Sequence, residues 1–272
     1  MSTIEKSLAS LEANVRAKNT ASVKANTKRE AKNNANDVHL TKPDSRIATQ
    51  SRILIEASYN MSVPAKRVFL MLLGEIHPAQ KNVLGKVRID AIDYAKKTGL
   101  DQSQSYSDLK KGARELMRTI ITTQDKKART IEECVVLQGM KYHTDQGWLE
   151  AQFSSFITPY IHKLVKGYTS IEIEEAVKFK RFHTIRFYEL LMQFKRTQER
   201  FITVKELRRI MQVKDGTYTR FVDFKRRVIE PCVKEIVEKT SWDIEYETIR
   251  TGRTVTSLSI MFERNSQRNL DF

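Results

Sequence analysis

At 272 residues, with 48 Lys and Arg against 33 Asp and Glu and a formal net charge of +15, the chain has room for two small domains and the charge of a protein with a polyanionic partner. Nucleic acid and an anionic membrane surface are the two candidates. No run of about 18 apolar residues occurs and the N-terminus lacks an apolar stretch of signal-peptide length, which argues against a spanning or secreted protein and for a cytoplasmic one. The two cysteines, Cys134 and Cys232, lie far apart within apolar patterns, as buried reduced thiols do. His39, His77, His143, His162 and His183 never fall two apart, and no GxxxxGKS or GxxxxGKT phosphate loop is present. No metal site, no cofactor and no catalytic activity is therefore expected, a nickase and an ATPase being the two enzymes excluded by those patterns.

Residues 1–45 are rich in Ala, Lys, Asn, Ser and Thr and poor in aromatics, too little apolar surface to offset ordering entropy, and read as a flexible basic tail. Within it Ile4, Leu8, Leu11 and Val15 have the spacing of a short amphipathic helix that orders on a partner. Lys24, Lys28, Arg29 and Lys32 add non-specific attraction to phosphate. A folded unit then starts with the apolar run Ile53 to Ala57, followed by a helix that Ser62 caps and Pro64 opens, with Val68, Phe69, Leu72, Leu73 and Ile76 as its buried stripe and His77-Pro78 as its stop. Val87 and Ile89 alternate as a short strand, Asp90 is placed to cap a helix carrying Ile92 and Tyr94, and Thr98-Gly99 ends it. A longer helix from about Ser105 is expected to turn Leu109, Ala113, Leu116, Met117, Ile120 and Ile121 inward and Lys111, Arg114 and Arg118 outward. That is a helix-turn-helix with a basic second helix. Residues 128–154 read as two β segments around Thr144–Gly147, a wing, and residues 154–168 as a connecting helix.

From Phe179 the pattern resets. Phe182, Ile185, Phe187, Leu190, Leu191 and Phe194 lie on a helix, Phe201–Val213 supplies a strand and a short helix, and Gly216–Val237 follows as a turn and a long basic helix. Counted at 100° per residue, Phe224, Val228, Ile229, Cys232, Val233 and Ile236 share one half of its circumference, with Arg226, Arg227, Glu230 and Lys234 opposite. Lys225 falls on the apolar half and must snorkel or leave from its rim, and Pro231 removes an amide donor, so a kink is expected. Alternation over Trp242–Tyr246 and Val255–Phe262 about Thr251-Gly252-Arg253 makes a second wing.

The two halves repeat one order: helix, strand, helix, turn, basic helix, wing. Tyr106-Ser107-Asp108-Leu109-Lys110-Lys111 aligns with Tyr218, Thr219 and, after three inserted residues, Asp223-Phe224-Lys225-Arg226, and Lys110 falls on the apolar half of its helix as Lys225 does. The segments KFKRFHTIRFYELL, FITVKELRRIM, DFKRRVIEPCVKEI and GRTVTSLSIMF resemble, in that order, the initiator replication proteins of theta-replicating bacterial plasmids, a likeness covering roughly residues 45–263 and most specific in its C-terminal part. The resemblance implies an α+β fold of two tandem winged-helix domains related by an internal repeat. Residues 46–170 would be the first, supplying DNA-backbone contacts and dimerisation, and 171–264 the main DNA-recognition domain, with 265–272 a C-terminal tail. It also implies double-stranded DNA as partner, with monomers binding directly repeated origin sites, the iterons, to start replication. Dimers in equilibrium with them would bind an inverted repeat and repress the protein's own gene. Host initiator, replicative helicase and chaperones are the implied protein partners.

The fork of Arg donors matches guanine O6 and N7 in the major groove. Arg226 and Arg227 are accordingly the expected base readers, with Lys225 and Arg220 holding phosphates near the helix start and Lys234 on the same outward side. Arg253 at the wing tip and Lys111, Arg114 and Arg118 in the first domain are the expected backbone contacts. A winged-helix transcriptional regulator without an initiation role is the rival reading, and a nucleoid protein the second.

Overall fold

The structure, a computed structural model, describes residues 46–76, 86–125, 129–144, 146–162, 164 and 167–265. The expectations for residues 1–45, for His77-Pro78 and for 266–272 lie outside them. The described residues open on a strand, β1 (Ile47–Ser51), and a single helical turn, α1 (Arg52–Glu56). Ser62 then caps α2 (Val63–Gly74), its side chain accepting from the Ala65 amide, with Pro64 in the first turn where no amide is missed. The whole of Ala65–Gly74 is buried, Lys66 and Arg67 included, which the expected one-sided stripe did not foresee.

Strand β2 (Val87–Asp90) leads into α3 (Ala91–Thr98), closed by Gly99 at a φ of 70°, where a side chain would be strained. Asp90 does not cap this helix; its carboxylate is held by Arg88 at 2.6 and 3.1 Å instead. Ile92 is exposed, and Tyr94 alone of the pair enters the core. The basic helix α4 starts three residues earlier than expected, at Gln102, because Asp101 caps it through the Gln104 amide, and it ends at Leu116. Beyond it the inward placement of Met117 and Ile120 fails. Both are exposed, Ile120 to 54%, because Ile120–Asp125 forms β3, paired with β4 (Thr130–Val135). A Thr-Ile-Ile-Thr-Thr run is β-branched throughout and gains more from a ladder than from another helical turn. The wing itself is β5 (Leu137–His143) with β6 (Trp148–Phe153), so the segment expected as two strands contains three. Ile131 is exposed on β4.

Among the described residues of the expected connecting helix, Thr158–Ile161 are helical, as α5. Strand β7 (Tyr168–Glu172) returns to pair antiparallel with β1, and α6 (Ile173–Ala176) follows. The second half comprises α7 (Phe182–Met192), β8 (Glu199–Thr203), α8 (Val204–Ile210) capped by Thr203, and α9 (Phe221–Phe224). A π turn (Lys225–Ile229), α10 (Glu230–Lys239), β9 (Trp242–Thr251) and β10 (Thr254–Arg264) complete it. The irregularity anticipated at Pro231 is that π turn, in which the Glu230 amide reaches back five residues to the Lys225 carbonyl just before the proline that cannot donate.

Sheet topology makes the repeat physical. The first half orders its strands β2-β6-β5 and the second β8-β10-β9, the same arrangement of first, third and second strand. One face of each sheet is buried: Leu149, Ala151 and Phe153 in the first, Ile244, Leu258, Ile260 and Phe262 in the second. The inserted β3–β4 hairpin distinguishes the first half. Cys134 and Cys232 are both free and buried, and burial pushes their thiols up to about 11 and about 12, so neither is a ready thiolate.

Helices α2 and α4 cross at Gly112, where an added Cβ would lie 2.8 Å from the Pro64 carbonyl oxygen and 2.9 Å from Val68 Cγ2. Because the obstacle is backbone, Gly112→Ala should cost about 1–3 kcal/mol through forced separation of the helices. A urea melt checks this, and an unchanged midpoint would mean that the crossing yields freely.

Charge is also built into the core where α2 meets α7. Glu189 accepts from Lys66 at 2.7 Å, from Arg186 at 2.9 Å and from Gln50 at 2.7 Å, and all three charged side chains are fully buried. Tyr59 OH accepts from Arg186 and Lys66, and Arg186 also donates to the Ile55 and Ala57 carbonyls at 2.6 and 2.9 Å. Burial pushes the Glu189 carboxyl up, but Lys66 and Arg186 outweigh it and hold the group below its usual value. Burial lowers Lys66 to about 8 against the pull of Glu189.

Candidate nucleic-acid interface

The turn before α9 is shaped by Gly216 at a φ of 80° and Tyr218 at 51°, a left-handed pair that a β-branched residue would resist. Arg208 on α8 fixes this turn by donating to the Tyr218 carbonyl at 3.0 Å and to the Thr217 carbonyl, while its guanidinium lies 5.0 Å from the Phe224 ring centre. The α8–turn–α9 unit is thereby tied together from below.

On its outer side Asp223 sits between two arginines, accepting from Arg220 at 2.8 Å and Arg226 at 3.3 Å. The hydrogen bond from Arg220, then the charges of Arg226 and Arg227, hold its carboxyl below the usual range. Arg220 and Arg226 keep 75% and 64% of their side chains in solvent, and Arg227 beside them is exposed. The sequence reading named these three arginines but not the aspartate that aligns two of them. The spacing of Arg220, Asp223 and Arg226, three apart on successive turns, is the signal that could have found it.

Lys225 leaves the core at its rim as expected, half-buried, with its ammonium 5.6 Å from the Tyr246 ring centre on β9 and 3.6 Å from Glu230. Lys234 lies on the outer side of α10, near Glu238 at 3.7 Å. Arg253 is exposed in the β9–β10 turn beside Gly252.

In the first half Lys111 and Arg114 are exposed on α4, whereas Arg118 lies past the helix end, in a turn closed by its amide on the Glu115 carbonyl. Lys110 is exposed, not core-facing as its place on the apolar half predicted. Its ammonium stands 6.0 Å from the centre of the Tyr142 ring on β5. The equivalence with Lys225 survives in a different form: each lysine lies over a tyrosine of the second strand of its own sheet. Tyr106, aligned in sequence with Tyr218, lies inside α4, donates to the Thr144 carbonyl at the wing and packs edge-on against Tyr142. The two tyrosines therefore do different work.

Among the described residues no helix is long and apolar enough to cross a membrane. Two helix-turn-helix units, each backed by a three-stranded sheet with a wing hairpin and each exposing a basic helix, define a tandem winged-helix protein. The chain belongs to the initiator replication protein family: residues 47–192 match the family's model "Initiator Replication protein, WH1" and residues 203–262 its model "Initiator Rep protein, WH2". It is 26% identical over 222 residues to an uncharacterized 27.6 kDa protein of Escherichia coli, covering 77% of this chain and 92% of that one. It is 25% identical over 236 residues to the PI protein of Escherichia coli, covering 74% and 77%. The crystal structure of the Pi initiator protein in complex with iteron DNA superposes with a TM-score of 0.72 at 21% identity, over 82% of this chain and 99% of that one.

Proposed function

We propose that this protein is a plasmid replication initiator that binds double-stranded DNA sequence-specifically at direct repeats of its origin and helps open it, its dimers repressing its own gene. The observation that carries the reading is the outward row of Arg220, Arg226 and Arg227 on α9 and the π turn, two of them aligned by Asp223 and none buried. A helix about 10–12 Å across fits the major groove, and the exposed guanidinium forks of Arg226 and Arg227 are the donors that read guanine there. Arg220, Lys225, Lys234 and Arg253 are assigned to phosphates around that helix, and Lys111, Arg114 and Arg118 to the backbone of the neighbouring groove. The role is one of binding and strand opening, without catalysis by this chain and without a cofactor.

Residues 46–170 form the domain assigned to backbone contact and dimerisation, and 171–264 the main reader. Support for the dimer contact comes from the outward face of β3–β4, which exposes Ile120, Val135 and Ile131 together, Ile120 standing directly across from Val135. The deciding experiment is a gel-shift titration on duplexes cut from the DNA flanking the coding region. Binding to tandem repeats beside an AT-rich block, with permanganate-reactive thymines appearing in that block, is the expected result. Binding confined to one isolated palindrome would replace initiation by simple repression.

A further inference from the structure

The outward face of the β8-β10-β9 sheet runs against the charge of the whole molecule. Its eleven positions, read from the register, hold five carboxylates (Glu199, Asp243, Glu245, Glu247 and Glu263) and no Lys, Arg or His, in a chain of net charge +15. Among them stand large apolar side chains that nothing covers among the described residues: Phe201 is 52% exposed, Met261 47% and Ile249 40%. Met261 stands between Glu199 and Glu245 across the strands, and Phe201 lies diagonally beside it in the next row, which ends in Glu247. Glu263 faces Asp243 directly, whose carboxylate accepts from Asn265 at 2.8 Å. Glu199, Glu245, Glu247 and Glu263 form no ion pair among the described residues. At one end the face opens into a recess of about 610 Å³ whose wall combines the aliphatic Val237 and Met261 with Glu199, Glu245 and Glu263.

We propose that this face is a docking surface for a partner protein that presents a basic amphipathic segment. Its apolar side chains would cover Phe201 and Met261, and its cations would meet the rim of Glu199, Glu245, Glu247 and Glu263. The same negative charge repels phosphate. On the DNA-binding reading given above, on which this last point rests, the face stays free for the partner while the arginine row is engaged.

The test uses the full chain and a labelled peptide of Leu and Lys, about five helical turns long with all Leu on one face. Fluorescence anisotropy should show micromolar binding. Affinity should fall about tenfold in the double variant Phe201→Ser/Met261→Ser and again in Glu245→Gln/Glu247→Gln, with no binding of the counterpart peptide in which Glu replaces Lys. Tandem-repeat duplex affinity, measured separately, should stay within about twofold for both variants. Equal peptide binding by variants and parent would overturn the proposal. So would a change of oligomeric state in the serine variant by sedimentation, which would give the face to a second copy of the chain. A parent protein that binds the peptide but no duplex would refute the DNA reading and leave the docking surface standing.

Discussion

Replacing Glu189 with Ala is expected to remove about 3–5 kcal/mol of stability, the largest effect of any single change proposed for this protein. The reason is stoichiometric. Lys66 and Arg186 are both fully buried and both lean on this one carboxylate, so its loss leaves two uncompensated cations with no route to solvent. For a chain of this size the melting temperature should drop by roughly 10 °C. Lys66→Met provides the informative contrast. It removes one of two cations at nearly constant volume and leaves Arg186 and Glu189 as a balanced pair, with Gln50 still donating to the carboxylate and Arg186 to Tyr59. Its cost should therefore stay within about 1.5 kcal/mol. Thermal melts of both variants decide the matter, and equal losses would show that the network acts through packing and not through charge.

Arg227→Ala should weaken binding to the direct-repeat duplex by about 1–3 kcal/mol, roughly a five- to 150-fold rise in Kd, while the melting temperature stays unchanged. Arg227 is exposed and pairs with no carboxylate among the described residues, so truncation leaves no orphaned partner in the free protein. Arg226→Ala should weaken binding similarly, Asp223 remaining held by Arg220. If Arg227 reads a base, the loss will be larger for the native repeat than for a repeat mutated at the contacted pair. A uniform loss on all sequences would move Arg227 to the phosphate contacts. With on the order of six to ten phosphates neutralised by the other cations, affinity should fall by roughly 10³ to 10⁵ between 50 and 200 mM salt. A flat salt response in the same titration would remove the backbone assignments of Lys111, Arg114, Lys225 and Arg253 together.

Several features needed no coordinates. The internal repeat was legible because each half restates the same sequence of periodicities, and the identical strand order of the two sheets follows from it. The outward placement of Arg226 and Arg227 was legible because a helix with an apolar half leaves only the other half for charge, and the π turn at Lys225–Ile229 did not undo it. The hairpin about Gly252 was equally plain from the alternation on both sides, interrupted only at the Val255–Ser257 bulge.

Other features were decided only by the tertiary structure. Local spacing continued α4 through Ile121, but a helix and a strand compete for the same β-branched residues, and pairing with Thr130–Val135, the next strand in the chain, settled the competition. Nothing in the local spacing of Lys66, Arg186 and Glu189 marks them as buried. Only the packing of α2 against α7 shows that they neutralise one another in the core. The acidic, apolar outer face of the second sheet was likewise invisible, since its five carboxylates come from three strands and each is unremarkable beside its own neighbours in the chain. Periodicity within a segment therefore determined which residues point outward. Which outward faces are covered, and which charges meet, depends on contacts between segments that no local period encodes.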